Sequence, residues 1–194
     1  MKDVIFNTVA ESTEVMAGFF RENIGSVEEA ARQVASCFAS GHKLLIIGNG
    51  GSASDAQHIA AEFVNRFTVE RRPLPALALT TDTSVLTSIS NDYSFKHVFS
   101  KQITALGDRG DIVLGISTSG NSDNVNAGLE AAKKLDLYTM GLAGCGGGEL
   151  KNRCDLSLIV NSDKTPRIQE THILIGHILC DLTDRILFPE LFYD

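Results

Sequence analysis

Hydrophobic positions along the chain follow two rhythms. The first is a set of short, nearly unbroken apolar runs: Leu44 to Ile47, Ala76 to Leu79, Ile112 to Ile116, Tyr138 to Leu142 and Leu156 to Val160. Runs of this length read as strands buried on both faces of a sheet. The second rhythm places apolar residues three or four apart. Ile5, Val9, Met16 and Phe20 approximate it, then Val27, Ala30, Val34 and Phe38, then Val125, Leu129, Ala132 and Leu135. These stretches predict helices with one face toward a core. Strands alternating with helices predict an α/β fold: an open, five-stranded, mostly parallel sheet with helices on both faces, in a flavodoxin-like three-layer arrangement.

The residues before the first strand carry two helical stretches. Gly25 reads as a break between them, and Ser26-Val27-Glu28-Glu29 reads as a capping box that starts the second. Residues 1–41 therefore predict a helical hairpin packed on a single domain that spans 1–194.

Two of the strands run into polar loops that open helices. Gly48-Asn49-Gly50-Gly51-Ser52 follows the first strand, and Ser117-Thr118-Ser119-Gly120-Asn121-Ser122 follows the third. A strand, a glycine loop and a helix N-terminus together make an anion site, because the backbone can come close and its N–H groups point outward. The first loop lacks the glycine pattern of a dinucleotide fold, since Ala53 stands at the last glycine position, and no lysine follows it. A nucleotide cofactor is not expected. The second loop offers four hydroxyls at a helix start, which suits a phosphate monoester. A serine-rich helix cap is the plainer alternative, although one serine is enough to cap. Both loops leave strand carboxyl ends, where ligands of such sheets bind.

His58 and Glu62 stand four residues apart on the helix after the first loop, so they share a face. They read as an acid/base pair, as two metal ligands, or as a polar contact within the helix. The last helix separates its own histidines. Ile168, His172, Ile175, Leu179, Leu182 and Ile186 form an apolar seam, and His172 within it reads as a core residue. Gln169 and His177 fall on a different face and are candidates to point into a site. Zinc held by His58, Glu62, Gln169 and His177 would be chemically acceptable, though glutamine is an unusual ligand. His42 and His97 read as solvent-facing.

The 194 residues suffice for one sizeable core, with 43% hydrophobic and 21% charged residues. A net charge of −7 argues against a general nucleic-acid surface, while local donors could still hold an anionic small molecule. The N-terminus turns acidic and polar within a few residues, and no apolar run approaches the roughly 20 residues of a membrane span. Neither a signal peptide nor a membrane partner is expected. Cys37, Cys145, Cys154 and Cys180 show no paired spacing and read as the reduced thiols of a cytoplasmic protein.

Taken together, Gly48 to Ser52, Gly115 to Ser122 and Arg167-Ile168-Gln169-Glu170 make the chain resemble the sugar-isomerase (SIS) domain family. His58 with Glu62, Asn91-Asp92, and Gln169 with His177 narrow the resemblance to bacterial phosphoheptose isomerases. Those enzymes interconvert sedoheptulose 7-phosphate and D-glycero-D-manno-heptose 7-phosphate, supplying the heptose of the lipopolysaccharide core. The resemblance implies that Ser117, Thr118, Ser119 and Ser122 hold the phosphate. It implies that Asn49, Gly50, Gly51, Asn91, Asp92 and Gln169 line the sugar site, and that Glu62 and His177 are the acid/base residues. It also implies zinc on His58, Glu62, Gln169 and His177, and a homotetramer with sites at subunit interfaces. A related SIS protein that binds the replication initiator and promotes chromosome replication is the alternative. In that relative the positions of Glu62 and His177 are not an acid/base pair.

Overall fold

The computed structural model describes residues 1–193. Five strands form one sheet: β1 (Leu44–Gly48), β2 (Ala76–Ala78), β3 (Ile112–Ser117), β4 (Tyr138–Ala143) and β5 (Leu156–Ile159). Their order is β2-β1-β3-β4-β5, and every pairing is parallel. The chain leaves β1 toward one edge and then returns to build the other side from β3 outward. The order therefore reverses between β1 and β3, and ligands of open α/β sheets bind at such a switch point.

The helices among the described residues are α1 (Lys2–Ala39), α2 (Gly51–Val64), α3 (Thr83–Asp92), α4 (Val98–Leu106), α5 (Asp123–Lys134) and α6 (Thr165–Leu187). They cover both faces, as the apolar runs require. Leu44 and Ile46 of β1 point into a layer with Phe63 of α2 and Ile175 of α6. Leu45 and Ile47 point the other way, into a layer with Phe99 and Ile103 of α4 and Leu129 of α5. Each such buried side chain contributes about 1.5–3 kcal/mol relative to exposure.

The expected hairpin over residues 1–41 is not there. Residues 2–39 form one continuous helix, α1, running straight through Gly25 and the Ser26–Glu29 box. A glycine inside a helix costs only about 1 kcal/mol relative to alanine. Burial on both sides of it, at Phe19 and then at Val27, Ala30 and Val34, outweighs that cost. Glu28 and Glu29 pair with Arg32 and Gln33 one turn later instead of capping a start. Asp82 caps α3, which takes in Asn91 and Asp92.

Two helices on the same face matter most for the site. Gln169 lies against Gly51, Gly176 against Ile59, and His177 against His58. Contacts that climb both helices together mean that α2 and α6 run side by side in the same direction. Gly176 permits the close approach, because a Cβ there would lie 2.6 Å from the Ile59 side chain.

Candidate active site

The loop after β3 gathers its hydroxyls from its own residues and is braced by the segment after β4, whose Gly144 and Leu150 N–H groups donate to the Thr118 and Gly120 carbonyls. Ser117 is buried at the strand end, and its hydroxyl pairs with that of Ser122 at 2.9 Å. Ser122 is the N-cap residue of α5, yet its side chain makes no capping hydrogen bond. That disposes of the plain helix-cap explanation for this serine. Ser119 Oγ accepts from the Asn121 N–H at 3.1 Å, and the turn closes with the Gly120 N–H donating to the Ser117 carbonyl at 3.0 Å. Gly120 takes a φ of +67° and meets the Gly147 carbonyl so closely that no side chain would fit. The glycine-rich segment after β4 thus backs the hydroxyl loop.

The loop after β1 depends on a partner. Asn49 and Asn124 exchange amide hydrogen bonds in both directions, each at 2.8 Å, across the switch point. Asn124 Oδ1 also accepts the Val125 N–H at 2.9 Å, which fixes the amide at the start of α5. Gly50 has a φ of +53° that favours glycine, and it sets the direction of α2.

Two turns into α2, three side chains converge. His58 Nε2 lies 3.0 Å from His177 Nε2 and 3.3 Å from Glu62 Oε1. The Phe67 ring lies 5.5 Å from that of His177, tilted by 30°. Glu62 is largely covered, with its side chain 22% exposed, while that of His58 is 50% exposed. A carboxylate and an imidazole that both reach the His58 ring can take, hold and return a proton. They can also serve as ligands. Tetrahedral bonds of about 2.0–2.1 Å put neighbouring donor atoms about 3.3 Å apart, close to both separations here. Among the described residues, no three His, Cys, Asp or Glu side chains close into a finished metal cluster.

The sequence model for the SIS domain matches residues 9–144. The phosphoheptose isomerase of Nitratidesulfovibrio vulgaris Hildenborough is 54% identical over 96% of this chain and 90% of its own length. The solved structure of the phosphoheptose isomerase of Neisseria gonorrhoeae superposes with a TM-score of 0.90 at 43% identity, covering 94% of this chain and 98% of that one. That of Francisella tularensis gives 0.91 at 39% identity, over 94% and 97%.

The chain belongs to the SIS domain family.

Within that family, its similarity is to the phosphoheptose isomerases. The SIS fold of this chain gathers the expected site residues unevenly. It brings His58, Glu62 and His177 together, and it brings Asn49 to the helix that follows the hydroxyl loop. Gln169 stands elsewhere: its amide lies over Gly51, where a Cβ would come within 2.3 Å of Nε2. Gly51 precedes His58 by seven residues, roughly two helical turns. Asn91 and Asp92 end α3 as exposed residues hydrogen-bonded to each other at 2.9 Å. Sequence reasoning missed Asn124, whose only signal is an amide near a helix start beside a second loop with an asparagine. His172 is the core residue expected of it. It is fully buried, and neither ring nitrogen has a hydrogen-bond partner. Burial pushes its pKa down to about 4, opposed only by the backbone of Ala143. Burial likewise pushes the Asp55 carboxyl, on the first turns of α2, up to about 6 against the pull of His58.

Proposed function

We propose that this SIS protein is an aldose–ketose isomerase that interconverts sedoheptulose 7-phosphate and D-glycero-D-manno-heptose 7-phosphate. The observation that carries the reading is the convergence of Glu62 and His177 on His58, on helices whose N-terminal ends lie at the carboxyl edge of the sheet. The isomerisation moves a proton between C1 and C2 through an enediol. One group must take the carbon proton and another must serve the oxygen, and both must be shielded from bulk water. Glu62 and His177 take those roles. The Ser117–Ser122 loop holds the phosphate with its hydroxyls and the positive end of α5. Asn49, Gly50 and Gly51 form the sugar-facing wall, with Gln169 over it, and Asn91 and Asp92 contribute from the end of α3.

Zinc is part of the proposal. His58, Glu62 and His177 would hold it, while Gln169, the fourth ligand that the resemblance implies, lies about two turns away over Gly51. When bound, zinc polarises the sugar oxygens as a Lewis acid. The proposed assembly is a homotetramer. Supporting it, α1 exposes Val4, Ile5, Phe6 and Val9, each more than 60% accessible, over its first three turns. No helix of the described residues is long and apolar enough to cross a membrane, in keeping with a proposed cytoplasmic role in supplying heptose to lipopolysaccharide. The isomerase is favoured over the initiator-binding alternative, because such a binder has no chemical need for a carboxylate and imidazoles that converge in a chain that also carries a phosphate loop.

Conversion of sedoheptulose 7-phosphate by the purified, metal-replete protein tests the reading. Turnover that is lost in Glu62→Gln and His177→Gln supports it, and absence of turnover in the wild type rules it out.

A further inference from the structure

Arg71 belongs to none of these motifs. It sits on the loop between α2 and β2, yet its side chain is wholly buried. Its guanidinium is a hub. Nε donates to Asp184 Oδ1 at 2.9 Å, and Nη2 donates to the Glu62 carbonyl at 2.9 Å. Nη1 donates to the carbonyls of Phe63 at 2.7 Å, Asn65 at 2.9 Å and Arg72 at 3.2 Å. Glu62, Phe63 and Asn65 lie at the end of α2, where carbonyls lack intrahelical partners and a cation meets the negative end of the helix dipole. Asp184 lies two turns beyond His177 on the same face of α6. The loop that Arg71 closes also carries Phe67, the ring beside His177.

A plain helix cap needs a few carbonyls and no buried carboxylate. Here the carboxylate is wholly buried and its Oδ2 has no partner. Such a pair is a poor source of stability, because desolvation offsets the attraction. What it does fix is the register of α2 against α6. We propose that Arg71, anchored by Asp184, is a positioning residue that sets the Glu62 and His177 side chains relative to each other. The proposal rests on the isomerase reading above.

Arg71→Lys keeps the charge but loses the fork that spans a carboxylate and several carbonyls. Asp184→Asn keeps an acceptor oxygen and drops the charge. Leu137→Ala, in the core at the amino end of the sheet, serves as a destabilised control far from both helices. Kinetics on folded protein with sedoheptulose 7-phosphate are expected to show kcat lowered about 10- to 100-fold in Arg71→Lys with KM nearly unchanged. A smaller loss is expected in Asp184→Asn and none in Leu137→Ala. Long-range ¹H–¹⁵N spectra of the histidine rings, recorded at one pH, are expected to show the His58 and His177 signals displaced in Arg71→Lys and unmoved in the control. Wild-type kcat with unmoved ring signals in Arg71→Lys overturns the proposal, and so does an equal kcat loss in Leu137→Ala. If Arg71→Lys does not fold, Asp184→Asn decides by the same two readouts. Wild-type protein without turnover overturns the isomerase reading instead, and the ring signals then decide the Arg71 link alone.

Discussion

The loops after β1 and β3 share a plan of strand end, glycine and helix start, but they collect their chemistry from different distances along the chain. The loop after β3 is local. Ser117, Thr118, Ser119 and Ser122 lie within six residues, and the segment after β4 only braces their turn from behind. The unit after β1 is assembled at long range. His177 reaches His58, which Glu62 also contacts, only because α6 lies parallel to α2, through Gly176 against Ile59 and Asp184 against Arg71. A phosphate asks for many donors at one place, which a single turn supplies. Proton transfer asks for two different groups at a fixed separation, and here two helices supply them. The local unit can tolerate motion between helices, and the assembled one cannot.

The largest expected effect lies in the assembled unit. Glu62→Gln is expected to lower kcat about 10²- to 10⁴-fold with little change in KM, as steady-state kinetics on sedoheptulose 7-phosphate would show. A parallel rise in KM would mean that the two units do not divide the work.

The helix that carries His177 also has an acid sensitivity that the β3 loop lacks. His172 titrates at its ordinary 6.5 when unfolded and at about 4 when buried. Its contribution is therefore intact above pH 6.5 and is lost as pH falls toward 4, by up to about 3 kcal/mol. Asp55 works the other way, since its raised pKa of about 6 favours the folded state as pH falls below that value. Denaturant unfolding followed from pH 7 to 4 is expected to show His172→Gln with a flatter acid limb than the wild type. An unchanged slope would remove His172 from the account.

Within the local unit, Ser117→Ala is expected to raise KM about 10-fold or more and to leave kcat nearly unchanged, as loss of one hydrogen bond to a charged group predicts. Smallest is the link between the units. Asn124→Ala strands Asn49 and is expected to cost about 1–2 kcal/mol, read as a lower thermal midpoint.

The contrast between the units also explains what could be read from residues alone. The five strands and the hydroxyl loop were legible because burial on both faces and a contiguous polar turn leave local patterns. The α1 hairpin was misread because Gly25 and the Ser26–Glu29 box are local stop and start signals, while the burial that overrides them comes from the sheet and α6. His58 and Glu62 could be paired by helical spacing, and His177 could be put on a site-facing side of its helix. Their meeting could not be read, because nothing near Gly176 announces that Ile59 will pack on it. Nothing in the residues around Arg71 announces its role. Its role depends on a carboxylate more than a hundred residues later, and Asn124 depends in the same way on Asn49.

Equilibrium binding of sedoheptulose 7-phosphate, measured calorimetrically beside turnover in Glu62→Gln and Ser117→Ala, tests this division of labour most directly. Glu62→Gln is expected to bind with near wild-type affinity and to turn over at least about 100-fold more slowly, and Ser117→Ala to bind weakly yet react well once saturated. Glu62→Gln losing affinity as much as Ser117→Ala, or retaining full turnover, would contradict it.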